Sequence, residues 1–304
     1  LWKSGRVNAR PDVRVVHETP STAVVDGDRC FGMVAGMRSM RLAIEKAAAT
    51  GTGWVATRNS NHFGIAGYYA MMALEHDMVG ICVTNANPLV APTWSVSRYL
   101  GTNPLAVAVP ALTEPPFVAD FATTPIARGK LAVAEKKGEK VPFGYVQDAE
   151  GHPSDDPGIL RRGGAMLTLG GDRLHGSHKG YCMTAVVDIF SALFSGASFG
   201  PFVPPSVAYL PVPENQEGKG TGHFFGAMRI DAFRPAAEFK TEMDQWIRTF
   251  RNAKPAKGES RVIIPGDPER EAEERYRSHG IKLVPAVVED LKVISAELGM
   301  TFEP

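Results

Sequence analysis

The 304-residue sequence has no excess of either charge: 33 Lys and Arg balance 33 Asp and Glu. Without a basic field it has little to hold a phosphate backbone or an anionic bilayer, so nucleic-acid and membrane-surface binding are excluded as primary roles. Cysteine is sparse. Three residues, Cys30, Cys82 and Cys182, all in apolar surroundings, make no disulfide framework. They read as buried thiols, and with no leader-like segment in view a reducing, cytoplasmic compartment is expected. No apolar run is long enough to span a bilayer, and the best, around residues 185–197, carries Asp188. Phosphate fingerprints are missing too: there is no Walker A motif and no G-x-S-x-G. Gly51-Thr52-Gly53-Trp54-Val55-Ala56 fits G-x-G-x-x-A by letters. It follows a helix and opens a strand, the reverse of the context a dinucleotide loop requires.

What is present is an alternation of strands and helices. Trp54-Val55-Ala56-Thr57, Val79–Thr84, Leu105–Val109, Phe117-Val118-Ala119 and His223–Asp231 read as strands. Met37–Ala49, closed by Gly51, and Ala66–His76, Ile126–Lys137, Ala236–Arg251 and Pro285–Leu298 read as helices. Tyr181–Leu193 is the most apolar helix and is expected at the centre. Asp267-Pro268 starts a helix with an N-cap acid. Glu139–Gly171 and Pro201–Gly222, rich in Pro and Gly, read as surface excursions, and residues 1–21 as extended. Strands separated by helices, with few hairpin signals, indicate an α/β layer structure.

Chemistry concentrates in a few turns. Ser60-Asn61-His62-Phe63-Gly64 lies between a strand and a helix, which places His62 near a helix N-terminus, a position favourable to anions. His175-Gly176-Ser177-His178-Lys179-Gly180 precedes the apolar helix and reads as an anion or ligand loop with Lys179 as its cation, or as a solvated turn. Asp120, at a strand end, is a helix cap or an acceptor for ribose hydroxyls. Gly101-Thr102-Asn103-Pro104 offers donors able to orient a carboxylate. Asp188, on an apolar helix, needs a partner.

These segments together resemble one family. Ser60-Asn61-His62-Phe63-Gly64-Ile65-Ala66-Gly67-Tyr68-Tyr69, Gly101-Thr102-Asn103-Pro104, Asp120-Phe121-Ala122-Thr123, Gly129-Lys130 and Asp148-Ala149-Glu150-Gly151-His152-Pro153 appear in order. His178-Lys179-Gly180-Tyr181, Gly222-His223-Phe224-Phe225 and Pro265-Gly266-Asp267-Pro268-Glu269 follow. The pattern resembles the non-Rossmann malate/L-lactate dehydrogenases, whose relatives include ureidoglycolate and sulfolactate dehydrogenases and Δ1-piperideine-2-carboxylate reductases.

The resemblance implies hydride transfer between NAD or NADP and a 2-hydroxy/2-oxo acid or related imine acid. It implies a mixed sheet flanked by helices, with non-Rossmann dinucleotide binding. Residues 22–252 would form the core, and 1–21 with 253–304 a mainly helical subdomain, usually in a homodimer. It places His62 at the reaction centre and Thr102 on the substrate. Phe63, Gly64, Ile65, Ala66, Asp120, Phe121, Ala122, His178, Lys179, Gly266 and Asp267 fall on the cofactor; no metal is expected. The family's Ser-His-Gly segment and the Arg after it lie upstream of where Leu1 falls in the pattern. Proton transfer is therefore expected from that upstream histidine or from His62. The family's Gly-Gly after a Pro is replaced by Trp94-Ser95, and Pro204–Lys219 departs from the pattern. Two alternatives remain: a cofactor-binding protein without turnover, and a metallohydrolase using His62, His175, His178 and His223.

Overall fold

The computed structural model describes residues 1–172, 174–207, 210–212 and 217–302. The strands in chain order are β1 (Arg14–Glu18), β2 (Thr22–Asp26), β3 (Thr52–Ser60), β4 (Met78–Thr84), β5 (Leu105–Val109), β6 (Phe117–Phe121), β7 (Val146–Gln147), β8 (Pro153–Ser154), β9 (Ala165–Met166) and β10 (Thr221–Arg229). Seven of them build a mixed sheet in the order β1-β2-β3-β10-β4-β5-β6. Only β2 and β3 run parallel; every other neighbouring pair is antiparallel. Few of these pairs are tight hairpins, which is why the sequence shows few hairpin signals: β10 reaches its place between β3 and β4 from far along the chain.

Side chains alternate across the sheet. His223, Phe225 and Ala227 of β10 are buried under two helices, α1 (Gly32–Thr50) and α2 (Ala66–Met72). The helical faces are built from small residues, Ala35, Ala43, Ala47, Ala70 and Ala73, with Met40, Ile44 and Tyr69 filling between them. Burying each of the larger side chains stabilises the layer by roughly 1.5–3 kcal/mol. Gly53 and Gly80 let the helices approach: a Cβ at either would stand 2.0 Å from a helix carbonyl, of Ala43 and Ala70 respectively. Gly53 is thus a packing glycine, and Gly51, in the left-handed region at φ 91°, closes α1.

On the opposite face Trp54 stacks on Phe224, with centroids 5.6 Å apart, and Phe190 and Phe194 pack on Phe224. Those two phenylalanines extend from α4 (Ser177–Asp188) through a π-helical turn over Ile189–Leu193. The helix expected at the centre lies against the sheet on one side only. Tyr181, Val186, Ile189, Leu193 and Phe194 keep 36% to 60% of their surface exposed. It is apolar on both faces, and the sheet uses only one. Cys182 is exposed on it, contrary to the expectation of three buried thiols; Cys30 and Cys82 are buried.

The excursion at 139–171 is more ordered than its composition suggests. β7, β8 and β9 form a small sheet. Val90, Leu131, Val141, Val146, Ile159 and Met166 make a second apolar cluster there, with Leu131 supplied by α3 (Arg128–Lys137). Two-residue strands carry no period to read. Part of Pro204–Lys219 lies outside the described residues.

Helix α5 (Ala236–Arg251) anchors the β5–β6 turn through one carboxylate. Asp244 accepts from the backbone N–H groups of Leu112, Thr113 and Glu114 and from the Thr113 hydroxyl. The chain divides into two compact units, Leu1–Pro265 and a second from Gly266 onward. The second holds α6 (Asp267–His279) and α7 (Pro285–Leu298). Gly266, at φ 98°, takes the N-cap position of α6, and Asp267, expected there, is instead the first helical residue.

Candidate functional site

The antiparallel order brings five connections to one edge of the sheet. β3, β4 and β6 end there, and β5 and β10 begin there. The turn from β3 to α2 carries His62, the chain after β4 carries Asn85, Ala86 and Asn87, and the chain before β5 carries Thr102. All of them line one cleft, together with Phe63, Gly64 and Thr84. Among the described residues its lining contains no Lys, Arg, Asp or Glu.

His62 is exposed on the cleft. Its Nδ1 accepts from the Gly64 N–H at 3.2 Å. On its protein side the ring loses contact with water, and this partial desolvation lowers its pKa below the ordinary histidine value of 6.5. A neutral imidazole at neutral pH can accept a proton. Gly64 turns the chain at φ 86°, and the space on its Cβ side is open. Asn61 fixes the turn from behind, its Nδ2 donating to the carbonyls of Arg29 and Cys30.

Beneath the turn lies a buried polar layer. Phe63 is 2% exposed and packs between the Tyr69 and His223 rings, at 4.8 and 4.6 Å. His223 touches Thr84 and Ser60. Asn85 donates to Asp188 and to the Ser198 carbonyl, and accepts from the Gly222 N–H. Asp188 also accepts from the Gly200 N–H, so this buried carboxylate has the partners its position demands. Burial raises its pKa, and the Asn85 and Gly200 hydrogen bonds offset this only in part.

Asp120 lies at the end of β6 and accepts from the Gly67 N–H at 2.8 Å, so it meets the first turn of α2. Gly67 leaves room for it: a Cβ there would stand 2.8 Å from the carboxylate. A Gly67→Ala protein should lose about 1–2 kcal/mol of stability as the carboxylate is displaced, measured by urea unfolding. Thr123 joins the next two segments, its N–H donating to the Thr102 carbonyl and its own carbonyl accepting from Leu169. The Asn103 side chain bonds Ala86 N–H and the Thr184 carbonyl of α4.

His62, Phe63, Gly64 and Thr102 therefore meet in one cleft, with Asp120 at the adjoining helix end. Ile65 is 72% exposed and Ala66 is buried. Phe121 and Ala122 continue from Asp120 without lining the cleft. His178 and Lys179 are exposed in the first turn of α4, also outside the cleft lining. Gly266 and Asp267 belong to the second unit, where Asp267 accepts from Arg270 at 2.7 Å. Among the described residues, the only group of three side chains with metal-ligand atoms within 4.8 Å of one another is Asp148, Glu150 and His152. None of the four histidines of the hydrolase alternative belongs to it.

Sequence reasoning passed over Thr84-Asn85-Ala86-Asn87. A signal was there: a polar run directly after a buried strand, the same context that singled out His62. The buried anchoring by His223 had no such signal, since its partners are 139 and 163 residues away.

Comparison with known proteins agrees with this architecture. The profile of the malate/L-lactate dehydrogenase family matches residues 1–292. The chain is 41% identical to the malate dehydrogenase of Pyrococcus abyssi over 298 residues, 98% of this chain and 80% of that one. It is 39% identical to the L-sulfolactate dehydrogenase of Methanocaldococcus jannaschii, over 99% of this chain and 83% of that one. The crystal structure of malate dehydrogenase from Entamoeba histolytica superposes with a TM-score of 0.91 at 33% identity, covering 100% of this chain and 84% of that one.

Proposed function

The chain belongs to the malate/L-lactate dehydrogenase family, and from that premise we propose that it moves hydride between NAD or NADP and a small 2-hydroxy acid of the malate, lactate or sulfolactate kind. It is an oxidoreductase of hydroxy acids. The observation that carries the finer reading is the convergence of His62 and Thr102 on one cleft at one sheet edge.

The residues present suit a nicotinamide dinucleotide. Amide and hydroxyl groups of Asn87 and Thr102 line the cleft where a neutral ring amide would be held, and the open side of Gly64 leaves room for it. Asp120 offers an acceptor for ribose hydroxyls, and His178 and Lys179 offer donors for phosphate oxygens. Ile65, Ala66, Phe121 and Ala122 shape the backbone around these groups. When bound, the nicotinamide supplies the hydride chemistry. The protein's part is to orient the acid and manage its hydroxyl proton. Thr102 donates to the acid, and His62, whose lowered pKa favours the neutral ring, accepts the proton during oxidation and returns it during reduction.

Two further parts of the reading rest on surfaces and thiols. A second copy of the chain covers the exposed apolar face of the π-helical turn that continues α4, where Ile189, Leu193 and Phe194 stand out. The three free thiols favour the cytoplasm. No helix among the described residues is long and apolar enough to cross a membrane.

The test is direct. Purified full-length protein is mixed with NADH or NADPH and a panel including oxaloacetate, pyruvate and sulfopyruvate, and absorbance is followed. Loss of reduced cofactor with at least one acid is expected. No oxidation with any of them, together with no cofactor binding by calorimetry, would remove the proposal.

A further inference from the structure

The mechanism above uses one of the two histidines near the cleft. The other, His223, is fully buried in the middle strand of the sheet. Its Nδ1 stands 2.7 Å from the Thr84 hydroxyl and its Nε2 stands 2.9 Å from the Ser60 hydroxyl. Ser60 ends β3 and Thr84 ends β4, the two strands that flank β10. The ring therefore bridges three strand ends at the point where the His62 turn leaves the sheet. The pairing of β10 with β3 is irregular between Thr221 and His223, a bulge of the kind that re-aims side chains next to functional sites.

Both ring nitrogens are hydrogen-bonded. Each faces a hydroxyl, and a hydroxyl can donate or accept. The Thr84 hydroxyl also reaches the Gly222 carbonyl at 2.9 Å and the Asn85 carbonyl at 3.1 Å. The Asn61 backbone carbonyl also accepts from the ring. The ring also lies parallel to Phe63, 4.6 Å away at an interplanar angle of 6°. Phe63 directly follows His62, and its carbonyl accepts from the Tyr69 hydroxyl.

We propose that His223 is a positioning residue for the proton transfer at His62: a buried, hydrogen-bonded imidazole that holds the Phe63 side chain, and with it the His62 ring, at a fixed height over the cleft. This rests on the dehydrogenase reading and adds a residue that touches neither acid nor cofactor. Burial, first, and the nearby charge of His62, second, depress the pKa of His223 to about 3. The groups against the ring are Ser60, Thr84, Phe63, Phe225 and the Asn61 backbone carbonyl, whose hydrogen bond offsets a little of the depression. Of the groups acting on it, His62 alone titrates. His223 stays uncharged throughout the working range and does not compete with His62 for the proton.

Two variants test this. His223→Phe keeps a ring to stack on Phe63 and removes both hydrogen bonds; Ser60→Ala removes only the Nε2 partner and does not line the cleft. Each is measured for kcat, for KM of cofactor and acid, for its pH–rate profile, and for the midpoint of the His62 ring signal by NMR titration. In His223→Phe, kcat should fall roughly tenfold with both KM values within about twofold. The loosened turn admits water to His62, so its midpoint should rise toward the ordinary histidine value. Ser60→Ala should show the same changes, smaller. A His223→Asn protein, which restores a hydrogen-bonding amide beside Thr84, should recover part of the loss.

A folded His223→Phe protein with parental kcat and an unmoved His62 midpoint overturns the proposal. If that variant does not fold, Ser60→Ala decides alone, and parental values in it count against the idea equally. A parent without turnover of any acid defeats the dehydrogenase reading instead; the His62 midpoint, read without substrate, still tests the positioning.

Discussion

A His62→Gln protein is expected to turn over its acid at least about 10²-fold more slowly than the parent, with cofactor affinity little changed. Glutamine occupies similar volume and can still donate to a substrate oxygen, but it cannot take up a proton. The pH profile separates the two contributions. In the parent, kcat/KM for oxidation should climb as pH rises through the His62 pKa, because the neutral ring is the acceptor. The climb should be centred below 6.5, because desolvation disfavours the imidazolium. In the variant that acidic limb should vanish. In the direction of reduction the dependence reverses, the charged ring being the donor. A loss smaller than tenfold with the limb intact would assign proton transfer to another group and leave His62 to orient the ligands.

An Asp244→Ala protein is expected to lose roughly 3 kcal/mol of stability while keeping its kinetic constants. Asp244 is 4% exposed, and its carboxylate receives three backbone N–H groups, the Thr113 hydroxyl and Arg248. Truncation leaves those donors facing an empty space between α5 and the β5–β6 turn. Burial alone would raise the Asp244 pKa. The hydrogen bonds from Thr113, Glu114 and Leu112 overcome that and pull it down to about 2. A carboxyl lowered on folding adds stability in full above its unfolded value of 3.8, and the gain is lost as pH falls toward 2. Asp244→Asn should therefore flatten the acid limb of the stability curve by about 1 kcal/mol between pH 7 and pH 3. Urea unfolding at pH 7 and at pH 3 measures both effects. A parental acid limb in Asp244→Asn would show that the carboxylate is not what the low pH attacks.

Much of the architecture was legible because it follows local rules. The strand, turn and helix around His62, the glycine closing α1, and the buried strands β4 and β5 each announce themselves within ten residues or so. The candidate cleft was legible through His62 and Thr102 for the same reason: a polar turn at a strand end is a local signal. What escaped depends on partners far away. β7, β8 and β9 are too short to have a period, so a region rich in Pro and Gly concealed a second core around Leu131 and Met166. The exposed side of α4 could not be told from its buried side, since both are apolar and only the sheet distinguishes them. His223 reads as one polar residue in a strand until Ser60 and Thr84 are placed on either side of it.

The position of β10 has a consequence for how the molecule is made. Its two neighbours are complete by residue 84, yet the strand that joins them spans Thr221–Arg229. During synthesis β3 and β4 must wait, with unpaired amides along their inner margins, while more than a hundred further residues leave the ribosome. Unsatisfied margins of that kind invite pairing with other chains. Refolding should accordingly be slow and sensitive to protein concentration, and a nascent chain stopped before Thr221 should be a client for chaperones.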